Sequence, residues 1–318
     1  MILVTGATGF VGRALVAKLA QEHVAIRACV RRPDVVMPDG VQISQIDGLS
    51  AEQDWRAAMA DVSVVVHAAA RVHVMEDNAA DPLVEYRRIN VAGTLQMAEQ
   101  AAAAGVSRFV FISSIKVNGE ATARGRPFSA SDSPAPLDPY GVSKMEAEEG
   151  LREIARRTGL EVVIIRPPLV YGPGVKANFQ SMMRWLDRGI PLPFGDIHNA
   201  RSLVALDNLI ALIVVCISHP AAANETFLVS DGEDLSTTEL LRRMGAALDR
   251  PARLIPLPAA LLQFGARVAG KPAIAQRLCG SLQVDISKTK ELLAWNPPLS
   301  VDEGLRQAAE GYRSEASI

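Results

Sequence analysis

A short apolar run, Ile2-Leu3-Val4-Thr5, leads directly into Gly6-Ala7-Thr8-Gly9-Phe10-Val11-Gly12 and then into a segment with helical apolar spacing. Glycines at this spacing, placed between a strand and a helix, have a specific mechanical meaning. Gly6 permits a tight turn, Gly9 lets backbone amides approach a pyrophosphate at the helix amino end, and Gly12 allows close packing of helix on strand. A glycine pattern alone is weak; the strand before it and the helix after it make dinucleotide binding the reading. A merely structural turn is the alternative.

Such a turn needs a parallel sheet around it, and the chain supplies one. Short β-branched runs at 2–5, 24–30, 42–46, 62–67, 108–113 and 162–166 alternate with helix-like stretches at 11–21, 51–60, 82–104 and 139–157. The run Val62-Ser63-Val64-Val65-Val66 is apolar on both faces, as a strand covered by helices on both sides must be. This predicts an α/β, Rossmann-type doubly wound parallel sheet. After residue 166 prolines thicken (Pro167, Pro168, Pro173, Pro191, Pro193) and helices are expected at 206–217, 237–248 and 301–312. A smaller, mostly helical substrate domain fits that stretch. One more sheet strand at 225–229 means that the two units exchange segments. The expected division is residues 1–168 plus about 202–231 for the dinucleotide domain, with 169–201 and 232–318 for the substrate domain.

Composition excludes several classes. Lys plus Arg number 33 against 35 Asp plus Glu, a net charge of -2, so there is no global electrostatic case for nucleic acid or an anionic membrane. The longest apolar run, 209–217, is far shorter than the roughly 20 residues that span a bilayer. Although the first twenty residues are apolar enough to mimic a leader, they lack a basic start and carry the glycine turn. Cys29, Cys216 and Cys279 are too dispersed for a metal cluster or a disulfide framework. A cytoplasmic protein without a metal is expected.

The end of the second strand bears on the choice of dinucleotide. An NAD-selective site places a carboxylate there to accept the adenosine ribose hydroxyls, whereas this chain has Val30-Arg31-Arg32-Pro33. Guanidinium groups suit a 2'-phosphate, so Arg31 and Arg32 favour NADP(H) over NAD(H), with two solvated surface arginines as the alternative. Asp47, after the third strand, is placed to reach the adenine amine or to cap the next turn.

Tyr140-Gly141-Val142-Ser143-Lys144 opens a helix, and the i, i+4 spacing sets phenol and ammonium on one face. A lysine so placed can lower the phenol pKa toward working pH and hold the nicotinamide ribose, making the tyrosine a proton donor or acceptor. The pair gains weight from Ser113-Ser114, at the carboxyl end of a strand where such sheets line their ligand crevice.

Taken together, these residues resemble the extended short-chain dehydrogenase/reductases, in the NAD-dependent epimerase/dehydratase family. The resemblance runs along essentially the whole chain. It rests on Thr5 to Gly12, Val66-His67-Ala68-Ala69-Ala70, Asn90-Val91-Ala92-Gly93-Thr94, Ser113-Ser114, Tyr140 to Lys144, Arg166-Pro167, Val170-Tyr171-Gly172-Pro173, and Arg201 shortly before Val204 and Asp207. It implies that Tyr140 is the acid/base, Lys144 its pKa setter and ribose anchor, and Ser114 the hydroxyl on the reacting oxygen. Asn90 would support a water relay, Ala68, Ala69 and Pro167 would lie along the cofactor, and Asn178 and Arg201 would hold the diphosphate of a UDP-linked sugar. Lys116 and Asn118 would line the substrate side, Lys116 either on the sugar or as a solvated loop residue. A homodimer through the helices at 82–104 and 139–157 is also implied.

Departures narrow the chemistry. Sugar 4,6-dehydratases of this family carry Asp-Glu where this chain has Ile115-Lys116, which argues against water elimination. The segments 113–120 and 168–179 look like enzymes of bacterial surface-polysaccharide (O-antigen, lipopolysaccharide) synthesis, of the UDP-N-acetyl-quinovosamine dehydrogenase type. The expectation is therefore reduction of C4 in a UDP-4-keto-6-deoxy-N-acetylhexosamine by NADPH. A UDP-hexose 4-epimerase with tightly held NAD is the alternative, and a non-catalytic dinucleotide sensor the lesser one.

Overall fold

The computed structural model describes residues 1–72, 81–268, 270 and 272–316. Its main sheet has seven parallel strands, β1 (Ile2–Thr5), β2 (Ile26–Val30), β3 (Gln42–Gln45), β4 (Val64–His67), β5 (Arg108–Ile112), β6 (Glu161–Arg166) and β9 (Thr226–Leu228), in the order β3-β2-β1-β4-β5-β6-β9. The central strands β1, β4 and β5 are buried at every residue, as their apolar runs require. Helices α1 (Phe10–Gln21) and α7 (Leu206–Ser218) pack together against one face of the sheet. The other face carries α2 (Arg56–Met59), α3 (Pro82–Tyr86), α4 (Gly93–Ala103) and α5 (Pro139–Thr158), with a π-helical turn at Arg87–Ala92 joining α3 to α4.

A second sheet of three strands, β7 (Leu169–Tyr171), β8 (Arg201–Ala205) and β10 (Asp234–Leu235), runs in the order β10-β8-β7. Around it lie α6 (Ala177–Asp187), α8 (Thr237–Ala247) and α12 (Val301–Ala316); α9 (Ala259–Val268) and α10 (Pro272–Cys279) pack on each other, and α11 (Ser287–Leu293) packs against β9 of the main sheet. A separate core of Tyr171, Phe179, Met183, Leu241, Met244 and Leu305 holds α6, α8 and α12 to this sheet.

The boundary expected near residue 202 falls within β8, which pairs with β7 and β10 while its Val204 belongs to the core of the main sheet. Two helix expectations need correction. The helix expected over 51–60 shrinks to the four residues of α2, with the fully buried Trp55 standing just before its first turn. The helix expected over 82–104 is interrupted by a π turn, which rotates Asn90 into the interior.

The switch point of the sheet lies between β1 and β4, where the strand order reverses, so a crevice opens at their carboxyl ends. β5 and β6 end beside it. The glycine turn, Ala68-Ala69, Ser113-Ser114 and Pro167 sit at these strand ends, and Tyr140 and Lys144 on α5.

Candidate active site

Gly6 stands at φ +66, and a Cβ there would come within 2.8 Å of the Ala69 backbone nitrogen, directly across the switch point. A Cβ on Gly12 would fall 2.1 Å from the Gly6 carbonyl oxygen. Gly12 therefore serves the approach of the helix to its own turn, more than the packing of helix on strand. Helix α1 begins at Gly9 with no side-chain cap and no acidic residue in its first turn, so its leading N–H groups face an exposed Thr8-Gly9 edge. That is the donor set an anionic pyrophosphate requires. Phe10 and Val11 are half-buried behind it, and Ala68 and Ala69 line the opposite wall, Ala69 donating its N–H to Thr5 Oγ1 at 3.3 Å. The residues present thus fit a dinucleotide.

Arg31 and Arg32 are exposed at the end of β2, and neither forms an ion pair among the described residues. Asp47 is exposed as well; the turn after it is closed by Ser50 Oγ, which accepts the Glu52 N–H, and Gln53 Oε1 takes the Asp47 N–H at 3.0 Å. Capping by Asp47 is thereby ruled out as its local role.

Asp138 caps α5, its Oδ1 accepting the Gly141 N–H at 2.6 Å, and Pro139 occupies the first helical position. Lys144 is carried one turn beyond Tyr140 to the end of β5, where Nζ donates to the Ile112 carbonyl at 2.8 Å and lies 4.3 Å from the centre of the Phe111 ring. Burial lowers the Lys144 pKa to about 7, with Glu148 opposing. Burial likewise raises the Tyr140 phenol above its ordinary value, and the Asp138 carboxylate and Tyr86 add to the rise. Lys144 is not among the groups that move the phenol in this arrangement. Nζ sits 6.0 Å from the phenol ring centre and is tied to a backbone carbonyl, too far to offset burial.

Ser114 heads a 3-10 turn, Ile115–Val117, and its Oγ accepts the Lys116 N–H at 3.3 Å, leaving its own proton for another acceptor. The turn is fixed to the neighbouring strand end, Ile115 N–H donating to the Pro167 carbonyl at 3.0 Å. Asn90, 1% exposed, accepts the Arg71 N–H at 2.8 Å and donates to the Arg71 carbonyl at 3.0 Å and to Ser143 Oγ at 3.1 Å. These bonds tie the loop after β4 to the helix of Tyr140.

The residues expected on the substrate side have these partners. Asn118 is 2% exposed, with Oδ1 accepting from Arg166 Nη1 at 2.9 Å and Nδ2 donating to the Ser129 carbonyl at 2.8 Å, so its amide holds two loops together. Lys116, its side chain 33% exposed, ion-pairs with Asp138 and lies 3.5 Å from Glu120. Arg201 is half-buried on β8 with Nη1 donating to the Gly280 carbonyl at 3.0 Å; burial lowers its pKa, and it has no carboxylate partner among the described residues. Asn178 is exposed in the first turn of α6.

Sequence reasoning missed Glu148. It is fully buried under the strand ends, accepting from Ser113 Oγ at 2.6 Å and, through both carboxylate oxygens, from Arg166 at 2.9 and 2.6 Å. Its signal was the repeat Tyr140, Lys144, Glu148 at intervals of four, which puts all three on one helical face.

Residues 2–230 match the model of the family described as "NAD dependent epimerase/dehydratase family". The chain belongs to that family. As a family member it is 51% identical over 312 residues to a Vibrio cholerae protein named UDP-glucose 4-epimerase, covering 98% of this chain and 95% of the relative. Among solved structures it superposes on the Bacillus cereus UDP-glucuronic acid 4-epimerase in complex with NAD, with TM-score 0.79, 22% identity and 98% of each chain covered. It also superposes on MoeE5 in complex with UDP-glucuronic acid and NAD, with TM-score 0.77, 27% identity and 99% of each chain covered. It is a Rossmann-type epimerase/dehydratase-family enzyme acting on nucleotide-sugars. Among the described residues no helix is long and apolar enough to cross a membrane, and no cluster of His, Cys, Asp or Glu could hold a metal ion.

Proposed function

We propose that the chain is a cytoplasmic, homodimeric 4-epimerase of UDP-hexoses that works on retained NAD. The reading is carried by the 51% identity, spread over 98% of the chain, to the Vibrio cholerae protein named UDP-glucose 4-epimerase. This replaces C4 reduction as the leading activity.

The turn at Gly6, Thr8 and Gly9, the walls formed by Phe10, Val11, Ala68, Ala69 and Pro167, and the Lys144 ammonium would hold the dinucleotide. When bound, the nicotinamide supplies reversible hydride exchange with C4 of the sugar. Tyr140 takes the proton from the C4 hydroxyl as the C4 hydrogen leaves, so the hydroxyl becomes a ketone. After the keto sugar presents its other face, Tyr140 returns the same proton and the hydroxyl is remade inverted. Ser114 donates to the C4 oxygen and steadies the charge that develops there. Lys144, poised near neutral pH, can carry the positive charge that favours the tyrosinate during the first half of the cycle. Arg201 and Asn178 would hold the diphosphate, leaving the sugar free to turn.

A second reading, the C4 reductase of surface-polysaccharide synthesis, is favoured by one observation. Arg31 and Arg32 stand exposed where a carboxylate would select NAD. The reductase uses Ser114, Tyr140 and Lys144 in the second half-cycle alone and must exchange its coenzyme. Purified protein is denatured and the released coenzyme measured, UDP-glucose is incubated without added coenzyme, and NADPH is offered with a UDP-4-keto-6-deoxy-N-acetylhexosamine. Released NAD with production of UDP-galactose supports the epimerase; NADPH consumption without interconversion overturns it in favour of the reductase.

A further inference from the structure

Lys116 lies in the middle of the 3-10 turn that Ser114 heads, and its ammonium is committed to Asp138, with Glu120 Oε1 at 3.5 Å on its other side. Asp138 is in turn the cap of α5 two residues before Tyr140, with Oδ1 on the Gly141 N–H at 2.6 Å and Oδ2 on Lys116. The backbones close on each other as well. A Cβ on Gly141 would meet the Lys116 carbonyl at 3.0 Å. Lys116 and Asp138 side chains are only 33% and 25% exposed, so water screens the pair poorly.

We propose that Lys116 is a positioning residue for proton transfer at Tyr140: by pairing with the carboxylate that caps the tyrosine's helix, it ties the Ser114 turn to that helix and offsets part of the Asp138 charge beside the phenol. The inference rests on the reading of Tyr140 as the acid/base. The Asp138 carboxylate raises the phenol, and an ammonium beside that carboxylate works in the opposite direction. The other groups facing the phenol are Tyr86 of α3, edge-on at 6.0 Å between ring centres, with Arg71 over the far ring at 5.8 Å, and Lys144 at 6.0 Å from the ring centre. Glu120 faces Lys116 alone. The partner of Lys116 is the helix cap, and the lysine acts through Asp138.

The test compares Lys116→Met, Lys116→Arg, Asp138→Asn and the double variant Lys116→Met/Asp138→Asn. Two readouts are taken. One is the pH dependence of kcat/KM for UDP-sugar interconversion. The other is the ultraviolet tyrosinate titration of NAD⁺-saturated protein, with Tyr140→Phe in the same background subtracted to isolate Tyr140. Lys116→Met is expected to move the Tyr140 step up by about one pH unit, an about tenfold loss on the rising limb at fixed pH. Lys116→Arg should leave it within a few tenths of a unit. Asp138→Asn, which keeps a good cap, should move it down, and the double variant should return it close to wild type. Loss of thermal stability with an unmoved Tyr140 step, or failure of Asp138→Asn to restore the Lys116→Met shift, would overturn the inference. If Lys116→Met does not fold, Lys116→Gln takes its place in the same comparison. A shifted titration in a protein without C4 chemistry would sink the proposed function and leave the inference standing; C4 chemistry with no shift would do the reverse.

Discussion

Arg166 grips Glu148 with two parallel hydrogen bonds, Nε to Oε1 at 2.9 Å and Nη2 to Oε2 at 2.6 Å, and the two side chains are 2% and 1% exposed. The pair joins the end of β6 to the middle of α5. Ser113, Arg152 and Asn118 complete its hydrogen bonds, so neither charge of this pair is left without a partner beneath the strand ends that carry Ser114 and Pro167.

Removal of one partner leaves the other buried and unpaired. Glu148→Ala is expected to destabilise the protein by about 3–5 kcal/mol, and Glu148→Gln by less because the amide oxygen still accepts from Arg166. Urea unfolding followed by circular dichroism checks the order; equal stability of Ala and wild type would show that the pair contributes nothing.

Tyr140→Phe removes the proton carrier and leaves the ring packing against Tyr86 in place. Turnover at C4 is expected to fall by about 100- to 10,000-fold with little change in thermal stability. Ser114→Ala should cost about 10- to 1,000-fold in kcat, since one preorganised donor to the C4 oxygen is lost. Steady-state assays with UDP-glucose distinguish these from a folding defect, and a Tyr140→Phe enzyme with near-normal turnover would remove the tyrosine from the reaction.

His67 is buried between two threonines, Nδ1 2.8 Å from Thr5 Oγ1 and Nε2 3.0 Å from Thr94 Oγ1, and stacks on Phe111. Burial lowers its pKa from 6.5 to about 3, with the Lys144 charge assisting. Between those values the unfolded chain binds a proton that the folded chain refuses, so the stability this group contributes is present above pH 6.5 and is lost as the pH falls toward about 3. Replacing His67 by Gln, which can still bridge hydroxyls, should flatten the unfolding free energy against pH across that window. An unchanged slope would place the acid sensitivity elsewhere.

Gly12→Ala forces a methyl group against the Gly6 carbonyl, where the ideal position is 2.1 Å away. The turn must open, and with it the exposed end of α1. Retained dinucleotide, measured by its release on denaturation, should fall to a small fraction of wild type. Gly40→Ala is no control for sterics alone, because Gly40 has open space but stands at φ +81; Gly48, with open space and ordinary φ, is the matched site, and Gly48→Ala should retain coenzyme.

The linear order of residues was enough for the architecture, because a buried parallel strand and an amphipathic helix each leave a periodic signature. The runs at 62–66 and 108–112 and the glycine turn placed the strands, the switch point and the crevice, while Tyr140, Lys144 and Ser114 marked out the candidate site by spacing and position. The side-chain partners across loops were decided only by the fold. Lys116 meets Asp138 and Asn118 meets Arg166 across 22 and 48 residues, distances over which sequence holds no geometric information. The phenol and ammonium pKa values belong to the same class, since desolvation is set by what the whole chain packs around a group and the spacing of two residues on one helix cannot supply it.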